Sequence, residues 1–231
     1  MNRFSLKVRK FHRIISLVLG VQVAFWIISG IYFAWIPIDT VRGRDLTRKD
    51  KPEKINVSSL VPLRDLEITQ IDQLELVEIR KLGATYKIQH NGLTRYFNAT
   101  TGQELTQLSD NAIKSIARLD YDGDRQISAT TLIISDTPLE YKGPLPVYQV
   151  TFDDWRNTRL YLDPISGEIR ARRNAFWRLF DFLWMLHILD FGAREDFNNN
   201  LLKMTSLASF GIVVSGYTLF FLGRRRKRKQ S

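Results

Sequence analysis

Histidine is the first residue type to consider for chemistry in this chain, which contains three histidines and no cysteine. The absence of cysteine excludes thiolate metal sites, Cys-anchored haem and a thiol nucleophile. His90 precedes Asn91-Gly92, a dipeptide typical of two-residue hairpins, so we expect an exposed hairpin residue there. His12 and His187 remain as the candidate ligand residues.

Three aspartates at alternate positions, Asp120, Asp122 and Asp124, suggest a calcium loop. An EF-hand loop requires Gly at its sixth position and Glu at its twelfth. Those positions hold Arg125 and Thr131 here. The pattern therefore favours an ordinary acidic loop, and we predict no metal site.

Enzyme motifs are missing from the sequence. It contains no Gly-x-Ser-x-Gly, no His-Glu-x-x-His, no Walker loop and no Gly-x-Gly-x-x-Gly. The acidic residues are scattered over loop positions without a pairing that suggests general acid-base catalysis. These observations favour a protein that is not an enzyme and has no catalytic residues.

Residues 14–36 form an apolar run without a charged residue. At about 1.5 Å per residue such a helix reaches roughly 34 Å, enough to cross a hydrocarbon core of about 30 Å. Trp26, Tyr32 and Trp35 suit membrane interfaces, and Pro37 ends the helix. The run is too long for a signal peptide and lacks a good cleavage site, so we predict an uncleaved signal anchor.

The excess of positive charge lies at the two ends of the chain. Residues 1–13 carry five basic groups and 224–229 carry six, with no acid in either segment. Residues 37–200 carry 22 basic and 24 acidic residues, a net charge of −2. The positive-inside rule then predicts that the basic N-terminus (1–13) and the basic tail (223–231) are both cytoplasmic. A second span over 201–222 is required, and the basic ends are expected to contact anionic lipid rather than nucleic acid.

The segment between the spans reads as a linker, 37–56, followed by a folded body with strand-like alternation. Its hydrophobic pattern predicts strands over 74–80, 86–90, 93–97, 130–134, 147–152 and 158–162, and a helix over 111–119. Ser109 or Asp110 is the expected N-cap of that helix.

The body contains an internal repeat. Residues 96–104 align with 161–169 at an offset of 65, which places Gly102 over Gly167. We therefore predict two units, 57–107 and 108–173, each a short helix plus a small antiparallel sheet. The helix of the first unit falls near 58–66, where Pro62 interrupts it, so we expect it to be short or degenerate.

Residues 176–191 are rich in aromatic side chains but carry three charges, and they are too few and too polar to span a membrane. This pattern predicts an amphipathic helix in the outer interface, immediately before the second span. His187 lies on it beside Trp177, Phe180 and Trp184, with its polar tip expected in water.

Several of these features together resemble the PepSY-associated transmembrane family. The matching motifs are His12-Arg13, Ser29-Gly30, the turns ending in Gly102 and Gly167, Trp184-Met185-Leu186-His187, Asp196-Phe197-Asn198-Asn199 and Ser215-Gly216. The resemblance implies an α+β protein of the bacterial inner membrane, in which two transmembrane helices flank a periplasmic tandem PepSY-like domain over residues 37–200.

Larger members of that family resemble siderophore-iron reductases that hold haem between helices through histidine, which makes His12 and His187 candidate haem ligands. Two imidazoles on one iron must bring their nitrogens to about 4 Å. His12 and His187 are expected on opposite sides of a bilayer of about 30 Å, so one chain cannot supply both. A homodimer would pair His187 or His12 with its own copy.

Three functions follow as hypotheses. The leading one is a non-catalytic membrane protein without a cofactor that presents the tandem domain to another protein. The second is a haem-bearing electron-transfer subunit, and the third, which the resemblance to PepSY propeptides implies, is inhibition of a periplasmic peptidase.

Overall fold

The computed structural model describes residues 3–48, 54–66, 68, 70–79 and 82–227. The chain divides into two compact units. We call Met1–Ile38 with Arg178–Ser231 the helical unit, and Asp39–Trp177 the sheet unit. The predicted α+β class is confirmed, because the described residues form two antiparallel sheets and several helices.

The secondary-structure elements are numbered in chain order. The helices are α1 (Arg3–Trp35), α2 (Ile38–Val41), α3 (Asp110–Asp120), α4 (Ala175–Ile188) and α5 (Asn200–Lys227). The strands are β1 (Gln73–Ile79), β2 (Gly83–His90), β3 (Leu93–Asn98), β4 (Ile127–Ile133), β5 (Val147–Phe152), β6 (Arg159–Leu162) and β7 (Ile169–Arg173). Short 3-10 helices occupy Arg44–Leu46, Val57–Ser59 and Leu63–Asp65.

The helical unit contains one segment within its described residues, Asn200–Phe221 of α5, that is long and apolar enough to cross a membrane. This agrees with the predicted span over 201–222. Helix α1 packs against α5 but bends by 51° between Arg9–Leu17 and Leu19–Trp35. The predicted span over 14–36 meets the same criteria only when these two parts are counted as one.

The first sheet of the sheet unit has the order β1-β2-β3. Its hairpin turns at Asn91 and Gly92, which have φ values of 49° and 76°, as the dipeptide predicted. One face buries Tyr86, Ile88 and Phe97 against the segment that precedes β1. This segment carries the 3-10 helices Val57–Ser59 and Leu63–Asp65, so the short, interrupted helix expected near 58–66 is present in reduced form.

The second sheet has the order β4-β5-β6-β7 and is covered by α3. The Oγ of Ser109 accepts a hydrogen bond from the Ala112 N–H at 3.3 Å and caps this helix, as predicted. Ile113, Ile116 and Ala117 on its buried face pack against the sheet.

Strand β7 was not predicted, because three of its five residues are arginines. Each guanidinium on this strand finds an acceptor inside the sheet unit. Arg172 pairs with Asp120, Arg170 pairs with Asp163, and Arg173 donates to the carbonyl of Glu140. These contacts let a strongly basic segment pair along a partly buried sheet.

The repeat of 65 residues is visible in the hydrogen bonds of two turns. The Oδ1 of Asn98 accepts from the N–H groups of residues 100 and 101, and the Oδ1 of Asp163 accepts from those of residues 165 and 166. The glycine four residues later donates to the carbonyl of the same Asn98 or Asp163, at 2.8 and 2.9 Å. Both glycines are left-handed, with φ of 74° at Gly102 and 69° at Gly167.

Strand register repeats as well. Tyr86 is opposite Phe97 in the first sheet, and Tyr148 is opposite Leu162 in the second. The Phe97–Glu104 bridge corresponds to the Leu162–Ile169 pair that begins β7. The two sheets therefore share one local design, which differs in the hairpin loop, in the length of the last strand and in the covering helix.

Candidate functional site

A cleft of about 490 Å³ opens inside the sheet unit, between the first sheet and the second. Its floor is apolar, with Val77 and Ile79 from β1 facing Ile116 of α3 and Ile169 of β7. Alternation along β1 places residues 75, 77 and 79 on this same face. The cleft therefore lies on the face of the first sheet opposite to its buried core.

Gly167 shapes the wall that the second unit contributes. A Cβ atom at this position would lie 2.5 Å from Cδ1 of Ile116, and its φ of +69° disfavours any other residue. Tyr96 also lines the cleft, and its hydroxyl shares a hydrogen bond with Ser166 of the same turn. Burial raises the pKa of Tyr96, which keeps the hydroxyl protonated.

Two ion pairs border the cleft. Lys87 donates to Glu75 at 3.0 Å across the β1–β2 pair, and this hydrogen bond raises the pKa of Lys87. Arg172 of β7 holds Asp120 of α3 through both of its terminal nitrogens, one of them 2.7 Å from Oδ1. Asp120 is buried, with 4% of its surface exposed, so this pair is a fixed part of the wall.

Glu168 and Glu78 complete the charged lining. By the alternation along β1, the Glu78 side chain starts on the other face of the strand from residues 75, 77 and 79, so Glu78 borders the cleft and does not belong to its floor. Within the described part of the chain neither carboxylate forms an ion pair. Among the residues that the structure describes, the lining holds four carboxylates and two cations, a net charge of −2 above an apolar floor. Such a surface attracts a group that combines a positive charge with aliphatic carbon.

His187, on α4 in the helical unit, is held by Ser29 of α1, whose Oγ lies 2.7 Å from its Nδ1. The same hydroxyl is 2.7 Å from the carbonyl oxygen of Phe25, to which it donates its only proton. Ser29 must therefore accept from the Nδ1–H of His187, which leaves Nε2 with a free lone pair. The expectation that the polar tip of His187 faces water is wrong for Nδ1, because the helix packing gives that nitrogen a protein partner.

Aromatic rings surround this histidine. The Trp184 ring is stacked at 6.2 Å from the imidazole centroid, and Phe33 lies at 5.8 Å. Trp26 is 6.3 Å away, and its indole N–H donates to the His187 carbonyl at 2.7 Å. Burial among these groups lowers the pKa of His187 from 6.5, which favours the neutral imidazole.

The C-terminal end of α4 is closed by side chains. Gln22 donates to the carbonyl of Leu186, and Asn199 donates to that of Ile188, at 2.9 and 2.8 Å. Helix ends leave such carbonyls without partners, and they are costly to bury. Gln22 thus links α1 to this end of α4.

His12, near the N-terminal end of α1, is paired with a serine in the same way as His187. Its Nδ1 is 2.7 Å from the Oγ of Ser215 on α5, and that hydroxyl donates to the carbonyl of Ile212 at 2.8 Å. The same proton count makes Nδ1 of His12 the donor to this hydroxyl. A Cβ atom at Gly216 would lie 3.5 Å from Cε1 of His12, in ordinary van der Waals contact, so the ring packs directly beside this glycine.

The two histidines do not share a site. His12 and Ser29 are 17 residues apart on α1, about 25 Å of helix at 1.5 Å per residue. One iron therefore cannot take both imidazoles of the same chain, as the sequence predicted. Among the described residues, no group of three or more His, Asp or Glu side chains could hold a metal ion.

Sequence reasoning found the histidines but missed their serine partners and the cleft. Ser29-Gly30 and Ser215-Gly216 each combine two small residues, which suits helix packing, and their hydroxyls have an additional role. The repeated His–Ser pairing joins residues 158 and 203 positions apart, so no local pattern could reveal it.

Comparisons with protein-family models, curated proteins and solved structures found no match for this chain.

Proposed function

We propose that this chain is a non-catalytic protein of the bacterial inner membrane that presents a tandem PepSY-like domain to the periplasm, where it binds a basic segment of another protein. The observation that carries the proposal is the cleft of the sheet unit, in which the carboxylate of Glu168 has no ion-pair partner within the described residues. The cleft offers a carboxylate and an apolar floor. An arginine or lysine side chain fits both, because its positive charge can pair with the carboxylate and its aliphatic stem can pack on Val77 and Ile116.

The membrane placement is supported by charge and by the helices. The proposed topology has two spans, 14–36 and 201–222, with both termini cytoplasmic and residues 37–200 periplasmic. The basic ends, 1–13 and 224–229, border the apolar segments 14–36 and 201–222 in the sequence, in the way that the positive-inside rule requires. The packing of α1 against α5 suits a helix pair in lipid.

A site-specific photo-cross-linking amino acid at Val77 tests the binding function in living cells. Val77 lines the cleft, whereas Leu93, at the hairpin of the first sheet and 69% exposed, is the matched control. We expect a discrete protein adduct from position 77 and none from position 93. The double variant Glu78→Lys with Glu168→Lys should abolish the adduct, and an adduct that survives this double variant contradicts the proposal.

A second candidate function is haem binding between two copies of the chain. The observation that favours it is the free Nε2 lone pair of His187, fixed by Ser29 and flanked by Trp184 and Phe33. Metal-bound histidines typically hold their other ring nitrogen in such a hydrogen bond. His187, or His12 in the same way, would hold the group from each copy, and haem would supply one-electron transfer.

The absorption spectrum of the detergent-purified protein separates the two candidates. Haem binding predicts a Soret band that His187→Ala or His12→Ala removes and that His90→Ala, the matched control, leaves unchanged. A colourless protein from haem-replete cells contradicts haem binding and leaves the protein-binding proposal standing.

A further inference from the structure

The sheet unit has both of its chain connections at one end. It begins at Asp39 and finishes at Trp177, and at both points the chain continues into the helical unit. Close to these points, the side-chain amide of Asn174 donates to the carbonyl of Thr40 at 2.8 Å. The two points of attachment therefore lie close together, and we call this part of the sheet unit the junction end.

The turn between β5 and β6 belongs to the junction end. The carbonyl of Arg156 accepts from the N–H of Ala175 at 2.6 Å, and the Arg156 guanidinium pairs with Asp45 at 2.6 Å. The ring of Trp155 packs edge-on against that of Phe176, with the two centroids 5.7 Å apart. These contacts hold the turn beside both points of attachment.

Trp155 is largely exposed in spite of its contact with Phe176. It leaves 75% of its surface open, and within the described part of the chain its indole N–H has no acceptor. Tryptophan is enriched where a membrane meets water, because its apolar ring can lie among the lipid headgroups while its N–H bonds to their oxygens. The exposure of Trp155 therefore suits a surface that contacts lipid.

Arginines accompany this tryptophan. The Arg156 guanidinium lies over the ring of Trp155, 5.2 Å from its centroid. Arg42 is exposed and forms no ion pair with any other residue that the structure describes. Its neighbour Gly43 packs beside Asn174, since a Cβ atom there would lie 3.4 Å from the amide nitrogen, and Arg42 is thereby placed at the junction end. A guanidinium in this position can bond to lipid phosphate while its stem follows apolar surface.

We propose that the junction end is a lipid-binding surface, which contacts the phospholipid headgroups of the outer leaflet through Trp155 and Arg42. Asp39 follows the proposed span 14–36 by three residues, so no more than roughly 10 Å of chain separates this end from the bilayer. Headgroups offer phosphate and carbonyl oxygens above acyl chains, which match a guanidinium and an indole. The surface depends on the proposed membrane placement and is independent of what binds in the cleft.

Quenching by spin-labelled lipid tests this surface on the full chain in vesicles of phosphatidylcholine and phosphatidylglycerol. The chain has no cysteine of its own, so Trp155→Cys and Ile134→Cys can each carry one small fluorophore. Ile134 is the matched control, because the two positions are 75% and 71% exposed but lie beyond opposite ends of β5. The six residues of that strand separate them by roughly 17 Å.

A nitroxide on the lipid headgroup should quench the fluorophore at 155 strongly and leave the fluorophore at 134 nearly unchanged. A third label, at Val213 of α5, should be quenched by a nitroxide on the acyl chain. Quenching at 213 without quenching at 155, or equal quenching at 155 and 134, overturns the lipid-binding surface alone. An unquenched label at 213 overturns the membrane placement, and the proposed surface with it.

A second measurement keeps Trp155 in place and puts the label on the same turn, at Asp153→Cys. Adding Trp155→Ala with Arg42→Glu should reduce the quenching at 153. The matched control pair, Leu93→Ala with Arg64→Glu, also removes an exposed apolar side chain and reverses an exposed arginine, and it should leave the quenching unchanged. Undiminished quenching in the first variant, or an equal loss in the control, overturns the assignment to Trp155 and Arg42.

Discussion

Arg172 of β7 holds Asp120 at the end of α3 through two hydrogen bonds, and so ties the covering helix to the edge of the second sheet. The carboxylate is 6% exposed and the guanidinium 19%. The pair also forms one wall of the cleft. Stability and the shape of the candidate site are therefore coupled at these two residues.

Removing one member of this pair should be strongly destabilising. Arg172→Ala removes a cation and two hydrogen bonds from a buried carboxylate, and breaking a buried pair in this way typically costs about 3–5 kcal/mol in the free energy of unfolding. Chemical denaturation of the full chain, followed by near-ultraviolet circular dichroism, measures the loss. The double variant Asp120→Asn with Arg172→Ala also removes the negative charge of residue 120, so it should recover part of the lost stability. A loss below 1 kcal/mol in the single variant contradicts this account.

The repeat supplies a matched pair of glycine substitutions. Gly102→Ala and Gly167→Ala both force alanine into a left-handed conformation, at a cost of about 1 kcal/mol each. The new methyl group at 167 would lie 2.5 Å from Ile116, whereas at 102 its closest neighbours are at 3.5 Å. Gly167→Ala should therefore lose about 1–3 kcal/mol more stability than Gly102→Ala. Equal losses in a denaturant titration would show that the cleft wall relaxes around the methyl group.

How much of this architecture the sequence predicts depends on the range of the interactions involved. Local signals were sufficient for the Asn91-Gly92 hairpin and for α3, with its Ser109 cap. Strand β7 was not predicted, because its three arginines obscure the alternation of apolar and polar residues. The strand can pair in the sheet because the fold places Asp163 next to Arg170 and Asp120 next to Arg172. The cleft is a property of two sheets in contact, and no periodicity within either sheet encodes it.

The serine partners of the histidines show the same limit. Ser29 and Ser215 were visible as small residues beside glycine, which is a helix-packing signal. Each serine hydroxyl donates its proton to a carbonyl of its own helix. Its oxygen can therefore only accept a hydrogen bond from the facing histidine, His187 or His12. Only the coordinates of facing helices reveal that constraint.

The environment of His187 predicts a pH dependence of stability. Its pKa is below 6.5 in the folded protein because burial disfavours the imidazolium form. Below pH 6.5 the unfolded chain therefore binds more protons at this position than the folded chain does, and stability falls as the pH decreases. The unfolding temperature should drop between pH 7.5 and pH 5.5.

The matched variant His187→Gln isolates this contribution. Glutamine does not titrate, so the variant should lose less stability than the wild type over the same pH interval, whatever its stability at pH 7.5. An identical pH dependence of the wild type and the variant would assign the effect to other groups.

The placement of the sheet unit outside the cytoplasm is the central claim, and cysteine labelling tests it most directly because the natural chain has no cysteine. Thr94→Cys, on the exposed part of β3, and Ser231→Cys, at the end of the basic tail, are treated in spheroplasts with a maleimide that cannot cross membranes. We predict that Cys at 94 is labelled in intact spheroplasts and that Cys at 231 is labelled only after lysis. Labelling of position 231 in intact spheroplasts, with position 94 protected, would contradict the account.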